Sequence, residues 1–404
     1  MTKLEQLIKE LCPNGVEYKT LGEIAVDVFR GAGIKRDEVT EEGIPCVRYG
    51  EIYTTYGVWF DECVSHTLLE NVPTPKYFEY GDILFAITGE SVEEIAKSTA
   101  YVGHDKCLAG GDIVVLKHNQ NPKYLAYALS TTDAQMQKSK GKVKSKVVHS
   151  SVPAIKEIVV PIPPLQVQSE IVRILDNFAE LSAELSAELS ARKQQYEYYN
   201  NILLSFNNPT YQMLEELCDI VDYRGKTPRK VDDGIFLVTA KNIRKGFIDY
   251  DKSKEYISPE DYDEVMHRGF PKIGDVLITT EAPCGNVAQI DNENIALAQR
   301  VIKYRPKTDK LNSTFLKYVL LGKEFQEKLE RASTGGTVKG IKGSKLHKLT
   351  IPVPPIEEQE RIVEILERFD TLCNDISEGL PAEIEGRRKQ YEYYRDKLLT
   401  FKVK

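Results

Sequence analysis

The sequence predicts an α/β (α+β) fold with two globular mixed α/β domains, two long helical tails and a pseudo-two-fold internal repeat. Three observations predict it: a proline-rich motif occurs twice, an amphipathic stretch follows it both times, and short β-rich runs precede it in each half. At about 150 residues per domain, 404 residues suffice for two or three domains. We divide the chain into a first domain (1–160), a first tail (161–206), a second domain (207–350) and a second tail (351–404).

The two tails repeat each other closely. Val160–Leu165 (VPIPPL) is matched 191 residues later by Ile351–Ile356 (IPVPPI), and Gln195–Tyr199 (QYEYY) is matched 195 residues later by Gln390–Tyr394. The second copy therefore contains four additional residues. Convergent helix composition is the alternative explanation, but the PxPP motif, the Ile/Phe spacing and QYEYY recur in the same order, which favours a duplicated ancestor.

Each tail carries apolar residues at steps of three and four, which is typical of a helix with one apolar stripe. A helix over 165–206 would be roughly 63 Å long and needs a partner along its stripe. We predict that the two tails form an antiparallel intramolecular coiled coil that separates the two domains. The residues expected to pack between the helices are Ile171, Ile174, Leu175, Phe178, Leu185, Leu189, Ile362, Ile365, Leu366 and Phe369.

Two local features modify this helical pattern. Gly379 suits a helix end and Pro381 a helix start, so we expect an interruption of the second tail at Gly379–Pro381. In the first tail Ser182–Leu185 recurs as Ser186–Leu189, and four residues add about 6 Å and about 40° to a helix. Such units can be gained or lost nearly in phase with the stripe, although enrichment in good helix formers would also produce them.

In each domain, β-rich runs bounded by turn residues predict strands at 83–87, 112–116, 276–280 and 301–304. One helical stretch follows in each domain, near 122–138 and 312–331. Basic residues come next, in a first basic segment (138–146) and a second basic segment (331–348) that is also rich in glycine. Lysines neutralise phosphate and glycines let backbone amides approach it, although a single lysine run usually marks only a solvated loop.

The composition excludes several classes of protein. Hydrophobic residues make up 41% and charged residues 28%, as in ordinary globular proteins, and no stretch approaches the ~20 apolar residues that cross a bilayer. Seven scattered cysteines without a CxxC pair suit neither a disulfide framework nor structural zinc, so we expect the reducing cytoplasm and no metal site. The net charge of −7 argues weakly against nucleic acid, but a total is a poor guide when charges are segregated.

Motifs of catalysis are also missing from the sequence. Gly225–Thr227 reads GKT, but a P-loop needs glycine at position 220, where the chain has Ile220. Asn208–Tyr211 (NPTY) resembles the NPPY signature of amino-methyltransferases, but it has Thr210 in place of proline and no accompanying cofactor motif. The histidines show no HxH or HExxH spacing, and no GxSxG serine motif occurs. The sequence therefore predicts no active site.

The tails resemble the conserved regions of type I restriction–modification specificity subunits. The resemblance rests on the PxPP motif, on the helix Gln-x-x-Ile-Val-x-Ile-Leu-x-x-Phe (168–178 and 359–369), and on the Arg-Lys-Gln…Tyr-Glu-Tyr-Tyr ending. It implies two target-recognition domains, each reading one half of an asymmetric, interrupted site in double-stranded DNA. It also implies a non-catalytic subunit that joins two modification subunits, which bring S-adenosylmethionine and methylate adenine, and two restriction subunits, which bring ATP hydrolysis, Mg²⁺ and cleavage.

Under this interpretation the basic residues become candidate DNA contacts. We expect phosphate contacts from Lys142, Lys144, Lys146, Lys339, Lys342 and Lys345, then from Arg30, Lys35, Arg36, Arg224, Lys226 and Arg229. We expect base contacts from Arg48, Tyr49, Lys241 and Asn242, which follow matching Gly-Ile-x-x-Val runs. The alternatives are a self-contained adenine methyltransferase or nuclease, which would need a cofactor motif, and a scaffold protein that does not bind DNA.

Overall fold

A computed structural model describes residues 2–139, 142–144, 147–223, 228–335, 339–374 and 379–404, with 142–144 and 147 as backbone only. The chain forms two compact units. Unit 1 contains Met1–Ser186 and Glu383–Lys404, and unit 2 contains Ala187–Ala382. Each unit therefore combines one domain with the beginning of its own tail and with the end of the other tail.

Unit 1 is built mainly from short strands. Its helices are α1 (Lys3–Leu11), α2 (Leu21–Ile24), α3 (Tyr49–Thr54), α4 (Pro122–Leu129), α5 (Thr132–Lys138) and α6 (Val152–Lys156), followed by the beginning of α7 (Leu165–Leu203). Its strands are β1 (Tyr18–Thr20), β2 (Ala25–Arg30), β3 (Val39–Thr40), β4 (Ile44–Val47), β5 (Trp59–Phe60), β6 (Ser65–Thr67), β7 (Tyr77–Phe78), β8 (Ile83–Ala86), β9 (Thr88–Gly89), β10 (Ser98–Tyr101), β11 (Cys107–Ala109), β12 (Ile113–His118), β13 (Lys142–Lys144), β14 (Val147–His149) and β15 (Val159–Pro161).

Two five-stranded sheets organise the first domain, in the orders β2-β12-β8-β10-β5 and β3-β6-β4-β11-β7. Strand β8 is fully buried and lies between β12 and β10, both antiparallel to it. One apolar cluster joins this sheet to α4 and α7, and it includes Phe85, Leu125, Ile171 and Leu399. The core of the first domain thus extends onto the first tail and onto the C-terminal end of the chain.

Unit 2 repeats this plan. Its helices are α8 (Leu214–Leu217), α9 (Tyr262–Val265), α10 (Ser313–Leu321), α11 (Lys323–Ala332), α12 (Gly343–Leu346) and α13 (Ile356–Asn374), and α14 (Leu380–Leu398) continues into unit 1. Its strands are β16 (Tyr211–Met213), β17 (Cys218–Asp222), β18 (Lys230–Val231), β19 (Ile235–Val238), β20 (Tyr256–Ile257), β21 (Val276–Thr280), β22 (Cys284–Gln289), β23 (Ile295–Leu297), β24 (Val301–Pro306) and β25 (Thr350–Pro352). The sheet orders are β17-β24-β21-β22 and β18-β20-β19-β23.

The four predicted strands are confirmed as β8, β12, β21 and β24, although β12 and β24 each continue further than predicted. The helical stretch predicted in each domain is confirmed in its position, but each stretch consists of two consecutive helices. Ser130 ends α4 and Thr131 caps α5, while Gly322 lies between α10 and α11. The side chain of Thr131 accepts from the amide of Ala134 at the start of α5, and the amide of Gly322 donates to the carbonyls of Tyr318 and Val319 at the end of α10.

The repeated Gly-Asp motif before β8 and β21 closes a turn. Asp82 accepts a hydrogen bond from the amide of Glu79 (2.9 Å) and pairs with Lys117 on β12 (3.2 Å). Asp275 makes the same contacts with the amide of Lys272 (2.9 Å) and with Arg305 on β24 (2.6 Å). Both carboxylates are buried, so each needs its hydrogen bonds and its cation to offset desolvation.

The repeated glutamine of the tail motif also has a structural role. Buried Gln168 accepts from the amide of Asn121 (3.0 Å) and donates to the carbonyl of Pro163 (2.8 Å). Buried Gln359 accepts from the amide of Asn312 (2.8 Å) and donates to the carbonyl of Pro354 (2.8 Å). In each unit this amide therefore joins the PxPP turn, the tail helix and the residue that caps α4 or α10.

The tails are helical and pair antiparallel. In unit 2 the ring of Tyr199 stacks on Phe369 (5.6 Å between centroids), while Tyr196, one turn earlier, contacts the same ring (6.2 Å). In unit 1 Phe178 stacks on Tyr394 in the equivalent position (5.7 Å). The predicted interruption at Gly379–Pro381 is confirmed, because α13 ends at Asn374 and α14 begins at Leu380.

The predicted stripe needs a correction. Ile171, Leu175, Ile362 and Leu366 are fully buried, but they pack into clusters that also contain the adjacent α/β domains. Ile174, Phe178, Ile365, Phe369, Leu185 and Leu189 are half-buried. The beginning of each tail is therefore part of a domain core as well as one helix of a coiled coil. A helix that packs against a domain buries more apolar surface than one that contacts only a second helix.

All seven cysteines are free thiols. In the part of the chain that the structure describes, no helix is long and apolar enough to cross a membrane.

Candidate nucleic-acid interface

The chain attaches to the same place on the central sheet of each domain, just after the first basic segment in unit 1 and within the second basic segment in unit 2. In unit 1 the carbonyl of Ile87, which follows β8, accepts a hydrogen bond from the amide of Ser150 (2.9 Å). In unit 2 the carbonyl of Thr280, the last residue of β21, accepts from the amide of Ile341 (3.0 Å). Strand β9 pairs with β14 in the first case, and Glu281 forms a bridge with Gly340 in the second. The described strands next to the first basic segment and the described part of the second segment thus lie at the C-terminal end of a central strand.

Arg30 comes to this end of the sheet in unit 1. It is the last residue of β2, is exposed, and donates to the carbonyl of Gly111 and the carboxylate of Asp112. The carbonyl of Asp112 in turn accepts from the amide of Ile87 (3.0 Å). The fold therefore brings the predicted Arg30 next to the attachment point of the first basic segment.

Arg48 and Tyr49, at the beginning of α3, adjoin the same region. The carbonyl of Val47 accepts from the amide of Gly110 (2.8 Å), which is two residues before Asp112. Tyr49 is exposed, whereas Arg48 is half-buried and pairs with Glu51 (3.1 Å).

Lys35 and Arg36 are exposed on the loop that follows Ala32, and Ala32 forms a bridge with Gly110. Lys35 pairs with Glu38 (2.9 Å), and this neighbour raises the pKa of the lysine. The loop that carries these two residues therefore begins at the same edge of the domain as Arg30.

Several predicted contacts lie outside the residues that the structure describes. These are Lys146, Arg224 and Lys226, while Lys142 and Lys144 are described only as backbone of β13. Their roles stay predictions.

In unit 2, Lys339, Lys342 and Lys345 are exposed around the Gly340 bridge and the short helix α12. Lys339 pairs with Glu330, and this contact lowers the pKa of the carboxyl. Arg229 and Lys241 are exposed as well. The second basic segment thus presents its lysines to solvent beside the end of β21.

Asn242 is the exception, and the prediction that it reads a base is wrong for this structure. It is fully buried, and its side-chain carbonyl accepts from the amide (3.0 Å) and the hydroxyl of Thr239. Its amide group donates to the carbonyls of Asp249 (2.9 Å) and Ser253 (3.0 Å). Its counterpart in unit 1 is Glu51, which binds the amide of Arg48 in the same way (3.0 Å). A buried polar side chain must satisfy its hydrogen bonds internally, so Asn242 closes a turn.

The first basic segment also begins with a lysine that is not available to DNA. Lys138 is buried and donates to the carbonyl of Leu129 (2.7 Å) and the hydroxyl of Ser98 (2.9 Å). Burial without a carboxylate partner lowers its pKa to about 7.

Arg300 is a candidate that the sequence analysis missed. Its carbonyl accepts from the amide of Thr280 (2.9 Å), and its side chain pairs with Glu281 (3.2 Å). Lys303 and Arg305 follow it closely in the chain, but it is the strand pairing that brings Arg300 to the second basic segment. No sequence pattern singles it out.

The arrangement supplies exposed cations on a sheet edge, which suits binding of a polyanion. In the described ranges, no group of three or more His, Cys, Asp or Glu side chains could hold a metal ion. The same end of both domains carries the charge, which matches a surface that meets phosphates and base edges.

Comparison with known proteins decides the family. A family model described as the type I restriction modification DNA specificity domain matches residues 13–192 and 212–386. The chain belongs to the family of type I restriction–modification specificity subunits. The two matched regions correspond to the two copies of the repeat.

Individual relatives of the specificity subunit agree with this family. The EcoR124I/EcoR124II specificity subunit of Escherichia coli is 36% identical over 307 residues, which are 69% of this chain and 70% of that one. A putative type I restriction enzyme specificity subunit of Haemophilus influenzae is 33% identical over 279 residues, or 65% and 68% of the two chains.

Solved structures share the fold at low sequence identity. The S subunit of a type I restriction–modification system from M. genitalium is 14% identical with a TM-score of 0.53, covering 96% of this chain and 97% of that one. The HsdS subunit from Thermoanaerobacter tengcongensis is 18% identical with a TM-score of 0.52, covering 96% of both. The fold of two α/β domains with paired helical tails is therefore that of the specificity subunits.

Proposed function

We propose that this specificity subunit reads an asymmetric DNA site in two separated halves, one half by each domain, with an unread spacer between them. DNA sequence recognition is the function of the family to which the chain belongs. The observation that carries the finer proposal is an equivalent backbone hydrogen bond at the end of each central strand, made by Ser150, shortly after the first basic segment, and by Ile341, within the second.

The division of labour follows from the chemistry of the side chains. Exposed lysines of the second basic segment, such as Lys342 and Lys345, bind phosphates and supply affinity that depends on salt. Residues on the rigid sheet edge contact bases, and each good bidentate contact discriminates by about 1–3 kcal/mol. Two half-sites of several bases together reach a specificity that neither reaches alone.

The subunit itself performs no chemistry in this proposal. It joins two modification subunits, which supply S-adenosylmethionine and methylate adenine, and two restriction subunits, which supply ATP hydrolysis and Mg²⁺-dependent cleavage. It acts in the cytoplasm. Titration of the purified chain alone with S-adenosylmethionine tests this point, since binding would favour a self-contained methyltransferase.

The DNA-binding surface is tested by replacing Lys339, Lys342 and Lys345 together with Ala. We expect weaker binding and a salt dependence that is flatter by about 2–3 in the slope of log K against log salt, because each phosphate contact contributes about 0.9. Fluorescence anisotropy of the complex with its modification subunits measures both quantities.

The matched control replaces three other exposed lysines of unit 2 with Ala, namely Lys252, Lys272 and Lys310. Lys272 precedes the turn at the beginning of β21, and Lys310 follows the end of β24, so both lie away from the end that carries the second basic segment. Equal losses in the two triple variants, or no loss in either, would contradict the proposed surface.

A further inference from the structure

Arg300 is tied by backbone hydrogen bonds to the second basic segment. The amide of Thr280 donates to the carbonyl of Arg300 (2.9 Å), and the carbonyl of Thr280 accepts from the amide of Ile341 (3.0 Å). One residue at the end of β21 therefore holds both the arginine and the segment that carries Lys342. The arginine also precedes β24 directly, so its backbone is anchored on the sheet.

The backbone of Arg300 adopts a left-handed conformation with φ of 69°. A side chain with a Cβ atom is strained there, and glycine would adopt this conformation without cost. Strained residues of this kind cluster where a protein needs a particular side chain in a particular direction. Packing therefore does not explain the presence of arginine at this position.

The guanidinium of Arg300 contacts Glu281 through Nε (3.2 Å), and the two side chains are 56% and 45% exposed. An exposed ion pair of this kind contributes little stability, so its partners can be shared with a ligand at small cost. The two terminal NH₂ groups extend beyond Nε. A guanidinium neutralised by Glu281 attracts a phosphate weakly, but its planar N–H groups still match paired acceptors on a base edge.

In unit 1 the charges are reversed at the equivalent place, where an acidic residue takes the position of the arginine. Asp112 precedes β12 as Arg300 precedes β24, and each carbonyl accepts from an amide at the end of the central strand, that of Ile87 in unit 1 and that of Thr280 in unit 2. In unit 1 the cation comes instead from Arg30, which pairs with Asp112. The two domains thus share a backbone frame but place opposite charges on it, as expected of surfaces that read different sequences.

We propose that Arg300 is a specificity-determining residue of the second domain, which contacts the N7 and O6 acceptors of a guanine in the half-site that this domain binds, while Glu281 orients its guanidinium. This rests on the proposed function, because it names a base contact on the surface assigned there to DNA. Arginine bound to these two acceptors is the commonest specific contact in the major groove.

The test compares the sequence preference of the wild-type chain and of Arg300 variants, each in complex with its modification subunits. Bound DNA is selected from a randomised pool and sequenced. Arg300→Ala and Arg300→Lys should both lose the preference for guanine at one position by roughly tenfold or more, because lysine keeps the charge but not the planar pair of donors. Preference at the other half-site should stay unchanged.

Two further variants separate specificity from stability and from charge. Arg300→Gly should raise the melting temperature, because it relieves the left-handed strain, and yet lose the same guanine preference. Glu281→Gln should keep the preference but bind all sequences more tightly at low salt, because the arginine is no longer neutralised. Arg361→Ala is the matched control, since that arginine is 53% exposed and also pairs with a glutamate, Glu358 (2.7 Å).

Four results would overturn the inference: an unchanged selected sequence in Arg300→Ala, full retention of the guanine preference in Arg300→Lys, a uniform loss of affinity without loss of preference, or an equal loss of preference in Arg361→Ala. Failure of the proposed function has a different signature, because then the wild-type complex itself would select no sequence.

Discussion

The junction between a tail and a domain is built differently in the two units. In unit 2, α7 ends at Leu203 and the chain continues through buried Leu204 into β16. In unit 1 the equivalent end of the second tail, with buried Leu399, meets the beginning of the first domain without a covalent link. The amide of Val16 donates to the carbonyl of Lys402 (2.8 Å), and the amide of Lys404 donates to the carbonyl of Val16 (3.1 Å).

The comparison shows that backbone hydrogen bonds and apolar burial can replace a peptide connection. Tyr18 reinforces the junction, because its hydroxyl accepts from the amide of Phe401 (3.0 Å) and lies 3.1 Å from the carbonyl of the same residue. Helix α1 belongs to unit 1 alone, where Lys3 pairs with Glu170 on α7 (2.7 Å). Unit 1 therefore depends on both ends of the chain, whereas unit 2 depends on neither.

The largest expected effect comes from Leu399→Ala compared with Leu204→Ala. Each removes a buried leucine at an equivalent position, which typically costs about 2–5 kcal/mol. We expect Leu399→Ala to release the residues around Val16 as well, because nothing covalent holds that junction. Hydrogen exchange of unit 1 and unit 2, measured separately by peptide, provides the readout. Equal losses of hydrogen-exchange protection, confined to the mutated site in both variants, would contradict the proposed difference between the two junctions.

The next effect concerns the glutamines that the two units share. Gln168→Ala and Gln359→Ala each remove the hydrogen-bond partner of a half-buried asparagine amide and of a proline carbonyl, and each should cost about 2–3 kcal/mol. Denaturant unfolding followed by hydrogen exchange should show that each variant weakens only its own unit. A loss in just one of the two would show that the motif has different roles in the two units.

A pH effect distinguishes the units because Lys138 in unit 1 corresponds to buried Leu329 in unit 2. The pKa of Lys138 is lowered to about 7, so between pH 7 and the pKa of a free lysine the unfolded state holds a proton that the folded state has lost. The stability of unit 1 should therefore rise with pH in that window, by at most about 1.4 kcal/mol per pH unit. Below pH 7 Lys138 is protonated in both the folded and the unfolded state, so its contribution to the pH dependence of stability disappears.

Lys138→Leu makes unit 1 resemble unit 2 at this site and should remove that rise. Urea unfolding of the variant and of the wild type at pH 7, 8 and 9 gives the comparison, and the difference between them cancels the titration of other groups. The same slope in both proteins would show that Lys138 stays protonated in the folded state.

The smallest cost in stability is expected for deletion of Ser186–Leu189 from α7, where only Leu189 is half-buried and the other three residues are exposed. The deletion removes about 6 Å of helix, against about 3.4 Å per base pair of DNA. We expect the tolerated spacer in the DNA site to shorten by about one or two base pairs. Mapping of methylated adenines is the measurement, and an unchanged spacer in an active complex would exclude this role for the tetrad.

Part of this structure was predictable because it depends on local patterns. The β-rich runs bounded by turn residues predicted β8, β12, β21 and β24, and the pair Gly379 and Pro381 predicted the break between α13 and α14. The duplication places a basic segment after the helices of each domain, and Ile87 and Thr280 accept equivalent backbone hydrogen bonds from Ser150 and Ile341 near those segments. Such features rest on neighbours along the chain, which the sequence displays directly.

The amino-acid sequence by itself determined the repeat, the helical tails, the position of the basic segments and the family. Tertiary structure decided which polar residues are available on the surface. Asn242 and Lys138 are buried and bonded within their own domain, whereas Arg300 is exposed beside a segment remote from it in the chain. The physical reason is that burial and pairing depend on which strands become neighbours, and strand pairing joins residues whose separation along the chain carries no local signal.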